Sequence, residues 1–199
     1  MAHTKIVNLM QAENNNRLYS KLSSALHAID ISAATKYATT PGYRLIRVDN
    51  RKITHCEEFE IALINDIESS VTYYCIVTTG DINGEPVAQP VIWLSASAHH
   101  FKVARDISRN VFFDYLLEGS DIIISLGLRE GESKFFWCRQ ASDAIAYGHE
   151  VTYCNPITLE TKLLKTQAEL EELISRHWSL TSEQLQHVVI RISKGRDRK

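Results

Sequence analysis

The chain has 199 residues, enough to bury a large core and near the upper end of what one domain usually holds. Hydrophobic residues make up 44% and charged residues 23%, the proportions of an ordinary globular protein and not of a low-complexity or largely disordered one. A formal net charge of -2 supplies no overall positive field, which excludes a general nucleic-acid coat protein.

The segment Glu13 to about Ile31 repeats Leu18, Leu22, Ala25, Leu26 and Ile29 at helical spacing, with the polar run Asn14 to Asn16 as its capping region. Pro41 and Gly42 then turn the chain into YRLIRV, an alternating strand that ends at Asp49 and Asn50. FEIALI, residues 59 to 64, reads as a further strand, or as a short helix if its acidic neighbours dominate. Residues 71 to 97 are the clearest β region. VTYYCIVTT and VAQPVIWLSAS flank the turn cluster GDINGEP, the signature of an antiparallel hairpin. Pro90 has no N–H to give a ladder, so it belongs at an edge, at a bulge, or just before a strand starting at Val91.

Lys102 to Leu117 places Val103, Ile107, Val111, Phe112, Tyr115 and Leu116 on one helical face, and Gly119 stops it. The following DIIIS is short and continuously apolar, which fits a strand buried on both faces. After the loop LREGES a helix runs through FFWCRQASDAIAY to Gly148, and EVTYC is the next strand. Strands that each follow a helix imply crossovers with local parallel pairing. Leu163 to Trp178 completes the helices and HVVIRIS the strands. The expectation is one α+β domain over residues 1–193 with a mixed sheet, an antiparallel first half and a helix-strand-helix-strand second half. KGRDRK, residues 194–199, is a basic flexible tail.

No apolar run is long enough to span a bilayer, and MAHTKIVNLMQAENNNRLYS lacks the features of a signal peptide, so a cytoplasmic location is expected. Cys56, Cys75, Cys138 and Cys154 are scattered without a CxxC pair, which reads as free, mostly buried thiols and not as a zinc or disulfide framework. Chemistry is sought in two loops. His99 and His100 follow the strand VIWLSAS, where a histidine can act as a general base and Ser95 or Ser97 can offer a hydroxyl. In LGLREGES, Gly127 and Gly131 lie between a strand and a helix, where backbone N–H groups can hold a phosphate, and Arg129 would add charge to it. That loop is neither a P-loop nor GxGxxG, and a tight connection capped by Ser133 is its simpler role. Trp93, Phe135, Phe136, Trp137 and Trp178 read as core, and Asp143 and Glu150 as solvent-facing.

The order of elements from about residue 13 to 193 resembles the GNAT-like superfamily of N-acetyltransferases. That resemblance implies an acyltransferase whose cofactor-binding turn follows VIWLSAS, with Ser97 in it, acyl-coenzyme A or an acyl carrier as donor, and Tyr147 as the group that protonates the leaving group. The family's pyrophosphate pattern Q/R-x-x-G-x-G/A falls where this chain has SAHHFKV, without a glycine, which implies another acyl donor or a fold kept without the activity. SDIIISLG followed by ASDAIAYGHEV also looks like nucleoside-processing α/β enzymes such as the nucleoside deoxyribosyltransferases, with Glu132 as the catalytic glutamate. The remaining expectation is a regulatory module that presents a groove to a protein partner or forms oligomers.

Overall fold

The computed structural model describes residues 9, 11–49, 57–95, 97–104, 106–125, 134–155, 157–178 and 188–195. The chain divides into two compact units, one of Met1–Gly80 with Val91–Tyr115 and one of Asp81–Pro90 with Leu116–Lys199. The fold class is α+β with a mixed sheet, as the sequence patterns imply.

In the first unit, β1 (Ile29–Asp30), β2 (Tyr43–Asp49), β3 (Glu57–Asn65) and β4 (Ser70–Ile82) pair antiparallel in chain order. FEIALI is therefore strand, because six of its positions are buried in a sheet covered on both faces. The helix α1 (Ala12–Ser23) sets Leu18 and Leu22 against Ile46, Ala62, Ile64, Tyr74 and Ile76. It ends about eight residues before the expected Ile31. Ser24 donates to the Ser20 carbonyl (2.6 Å), and the chain leaves the helix through three-residue turns, Ala25 to Leu22 (3.3 Å) and Ala28 to Ala25 (3.2 Å). The apolar residues that suggested a longer helix, Leu26 and Ile29, are exposed. Nor is the asparagine run a cap. Gln11 holds the cap position, and Asn15, buried, donates to Val71 O (2.9 Å) and accepts from Val71 N–H (2.7 Å), completing the backbone bonding of β4.

β4 turns through Asn83 and Gly84 into β5 (Glu85–Leu94), with φ of 57° and 85° at the two turn residues, the positive pair that a two-residue hairpin requires. Pro90 lies inside β5 and not before it. The expected helix over Lys102–Leu117 is broken into α2 (Ala98–Ala104), α3 (Ile107–Arg109), a π-helical stretch Asn110–Leu116 and α4 (Leu117–Gly119). The buried pairs Val111/Phe112 and Leu116/Leu117 explain the π stretch: their five-residue spacing matches a π turn and not an α turn. Arg47 Nη1 donates to Tyr115 Oη (2.9 Å), and Asn110 Nδ2 to Thr35 O (3.0 Å), which fixes this stretch to β2 and to the loop after β1.

In the second unit β6 (Asp121–Ser125) runs parallel to β5, with rungs Val87↔Asp121 and Ala88↔Ile122. The crossover through α2 to α4 thus produces the parallel neighbour expected of it. Two residues past the last rung, Pro90 has no N–H to extend the ladder. β7 (Glu150–Asn155) departs from expectation. It is antiparallel to β9 (Val189–Ser193), which is antiparallel to β6, so the final strand inserts between two strands that run in the same direction. α5 (Lys134–Ala146) ends where expected, at Gly148 with φ of 80°. The helix expected from Leu163 begins at Gln167, as α6 (Gln167–Trp178), because Glu160–Leu164 is β8, hairpin partner of β7.

DIIIS is buried on one face only. Ile122 and Ile124 are buried while Asp121, Ile123 and Ser125 are partly exposed, and β9 and β7 continue the alternation with Ile190, Ile192, Val151 and Tyr153 inside. α5 and α6 pack in the same unit, and Trp137, Ala141, Ala144, Leu170 and Leu173 supply their buried positions. Each such leucine removed from water contributes about 1.5–3 kcal/mol. Trp137 is core as expected, whereas of the described thiols Cys75 is buried and Cys138 and Cys154 are only partly so.

Candidate functional site

His99 and His100 do not lie in a loop. Both stand in the first turn of α2, where the His100 N–H donates to Ser97 O (3.0 Å). That turn parts them: His99 is exposed and His100 is buried. Ser97, also exposed, donates its N–H to Ser95 Oγ (3.3 Å), and Ser95 N–H pairs with Thr72 O (2.9 Å) at the end of β5.

Around the His100 ring four side chains from distant positions converge. Nδ1 is 3.3 Å from Tyr43 Oη at the start of β2 and 3.3 Å from Thr72 Oγ1 in β4. Nε2 is 3.3 Å from Glu68 Oε2. Asn65 closes the set. Its Nδ2 donates to Tyr43 Oη (3.1 Å), and its Oδ1 accepts the N–H groups of Ile67 (3.0 Å) and Glu68 (3.3 Å), forming the turn that holds Glu68 in place. Tyr43 is held above its ordinary pKa, first by burial and then by the Glu68 charge, with the Asn65 hydrogen bond opposing. Its hydroxyl therefore remains a proton donor at neutral pH. An imidazole with a carboxylate on one nitrogen and two hydroxyls on the other can accept a proton on the hydroxyl side while the carboxylate stabilises the cation.

The expected Tyr147 lies in the second unit, at the exposed end of α5, with its N–H on Asp143 O (2.9 Å). Asp143 is partly buried and within 4.0 Å of Arg139, and Glu150 is exposed. Gly127, Arg129, Gly131, Glu132 and Ser133 lie outside the described residues, as do Arg196 to Lys199 of the basic tail.

The second unit has a groove of about 660 Å³ of its own, floored by Arg191. Arg191 Nε donates to Asp121 Oδ2 (2.6 Å) and its Nη2 pairs with Glu85, while Ser193 Oγ donates to Asp121 Oδ2 (2.7 Å). Lys194 is paired with Glu118 (2.6 Å). Both cations are thus already matched to carboxylates, and with Glu150 the lining has four acids against two bases. Such a groove does not attract a phosphate. In the first unit a cavity of about 370 Å³ lies beside Tyr37, whose hydroxyl donates to Val103 O and whose pKa burial and Asp106 push up to about 12. Among the described residues no three His, Cys, Asp or Glu side chains are grouped to hold a metal ion, and no helix is long and apolar enough to cross a membrane.

Tyr43, Asn65, Glu68 and Thr72 are the members of the His100 set that sequence reading misses. They precede His100 by 28 to 57 positions, and only the sheet register brings them to one place. These two sites sit on an α+β scaffold whose mixed sheet contains a helix-crossed parallel pair. No family model, curated protein or solved structure matches the chain.

Proposed function

We propose that this chain is an acyltransferase-like protein that takes an acyl thioester donor, from coenzyme A or an acyl carrier, with the Ser97–His100 turn beside the reacting groups. The observation that carries the reading is the connection itself. β5 passes through that turn into α2 and returns as its parallel neighbour β6, which is the order of elements the resemblance to N-acetyltransferases implies. A set that joins the buried His100 to a tyrosine hydroxyl, a threonine hydroxyl and a carboxylate starts at that same turn. In this reading an acceptor amine attacks the thioester carbonyl, and its proton passes by way of the Tyr43 hydroxyl to His100, with Glu68 stabilising the imidazolium. The tetrahedral adduct then collapses, its C–S bond breaks, and the departing thiolate takes up that proton from His100 through the same hydroxyl, leaving the amide and a free thiol. The missing glycines at Ser97–Val103 favour a donor gripped less by its pyrophosphate than by its acyl or pantetheine portion.

Thermal shift measures this directly, because a ligand that binds only the folded chain raises its stability, by about 2.7 kcal/mol at a concentration a hundredfold above Kd. Acyl-coenzyme A or an acylated carrier protein is expected to raise the melting temperature, and a nucleoside is not. A shift with nucleosides alone would favour the nucleoside-processing reading, and no shift with either acyl donor would sink the proposal. A second reading, a protein-interaction module, is favoured by one observation: the apolar side chains Ile157, Leu159 and Leu163 of the β7–β8 hairpin are all exposed.

A further inference from the structure

The strand β8 ends the hydrogen-bonded order of the second unit, and among the described residues it pairs with β7 alone. Among the described residues no strand pairs with its other edge, whose backbone groups offer a template for a further strand. Leu159 at the entrance to this strand is 85% exposed and also sits at φ of 58°, the left-handed region that costs any residue with a branched side chain. Neither its backbone nor its burial explains a leucine there.

The chain builds the same turn twice, which sharpens the point. Asn65 closes a four-residue loop back to Ser70, accepting the N–H groups of Ile67 and Glu68, and Asn155 closes one to Glu160, accepting those of Ile157 and Thr158. The left-handed position is Ser69 in the first loop and Leu159 in the second. The first loop satisfies the turn with a small polar residue, so the turn itself does not call for leucine.

From Leu159 to Leu163 the sequence is Leu-Glu-Thr-Lys-Leu, symmetric in kind about Thr161. We infer that β8 pairs antiparallel with β8 of a second copy of this chain, about a twofold axis at Thr161. In that register Glu160 faces Lys162 of the second copy, Lys162 faces its Glu160, and each Leu159 meets a Leu163. A twofold centred one residue later sets lysine against lysine, and one residue earlier glutamate against glutamate. The central register alone pairs the charges and covers the leucines. This assembly does not depend on the acyltransferase reading.

Sedimentation equilibrium of the full chain over a dilution series tests it. The wild type is expected to approach twice the chain mass as concentration rises. Leu159→Asn, which suits the left-handed position, should weaken association about tenfold or more while leaving the melting temperature of the dilute monomer unchanged or higher. Glu160→Lys should weaken it by a similar factor, about tenfold, and the swap Glu160→Lys with Lys162→Glu should restore it. A chain that stays monomeric at every concentration overturns the inference. So does a dimer indifferent to Leu159→Asn and Glu160→Lys, or one that the charge swap does not restore.

Discussion

Replacing Glu68 with glutamine keeps the shape of the side chain beside His100 and removes its charge. The contact is 3.3 Å long and the Glu68 side chain is 44% exposed, so the folded state loses less than about 1 kcal/mol with the ion pair. A positioned acid–base group is worth about 10²–10⁴-fold in rate, or about 3–5 kcal/mol of barrier. The two figures differ enough to decide the role of the network. If the carboxylate stabilises a histidine that carries a proton during acyl transfer, Glu68→Gln lowers turnover about a hundredfold or more while the urea midpoint barely moves. His100→Asn should then lose a similar factor in rate, but with a measurable loss of stability, because it strips the fully buried Thr72 hydroxyl of its partner at about 1–3 kcal/mol. Thiol release from an acyl-coenzyme A in the presence of a primary amine reads the rate, and urea denaturation reads the stability. Turnover that survives both substitutions would refute the reasoning and leave the network a structural one.

Asn15→Ala leaves both backbone groups of the buried Val71 without their partner, at about 1–3 kcal/mol for each, so a loss of about 2–6 kcal/mol is expected in denaturant; a change below about 1 kcal/mol would show that the backbone finds other partners. His149 is held below its ordinary 6.5 by burial and then by Lys194, with Glu118 opposing. As pH falls below 6.5 the unfolded chain takes up that proton first, so stability is full above 6.5 and drains as pH drops through the lower folded value. His149→Gln should flatten this part of the stability profile, and an unaltered slope would assign it to other groups. Thr166→Ala removes the hydroxyl that accepts the Glu169 N–H (3.2 Å) at the start of α6 and should cost about 0.5–2 kcal/mol, with hydrogen exchange rising first at that end of the helix.

That helix start was legible and is the plainest case of a signal outweighed by another. Thr166-Gln-Ala-Glu169 is a capping box, and in the structure Glu169 accepts the N–H groups of Lys165 (2.6 Å) and Thr166 (3.1 Å). The apolar pair Leu163 and Leu164 drew the predicted helix four residues upstream, yet those residues alternate in burial as a strand does. The hairpin β4–β5 was readable because Asn83 and Gly84 are the residues its turn demands, and α5 because Gly148 ends it. The antiparallel pairing of β7 with β9 was not readable. Nothing local in HVVIRIS says that the last strand enters between β6 and β7, since insertion is decided by which apolar faces remain to be covered. For the site, the residue His100 could be singled out by type and place, but its burial follows from a helix beginning four residues earlier than the apolar periodicity indicates. Its partners come from three other elements and leave no trace in spacing.

What distinguishes the His100 network is the kind of partner it has. Three buried polar side chains of the first unit serve the backbone: Asn15 bonds Val71, Thr35 bonds the carbonyls of Ile31 and Ser32, and Asn65 bonds two N–H groups of its turn. Buried Glu60 and buried His100 instead each join a set of side chains to side chains. In one, Glu60 is almost fully buried and receives both Lys21 Nζ (2.8 Å) and the Tyr74 hydroxyl. Burial and the Glu60 charge raise the Tyr74 pKa far out of the physiological range, so that phenol keeps its proton and stays a fixed donor to Glu60. The other set has a different boundary. His100 is buried, but Glu68 on one side of it is 44% exposed, and Ser97 and His99, which precede it, are exposed. The imidazole can therefore exchange a proton on its Tyr43 side while the carboxylate on the other side balances the charge. Fixed charge networks hold a sheet together; one with an exposed end and a histidine inside can also move a proton, and this is the physical reason to look for chemistry at His100 before any other group in the first unit.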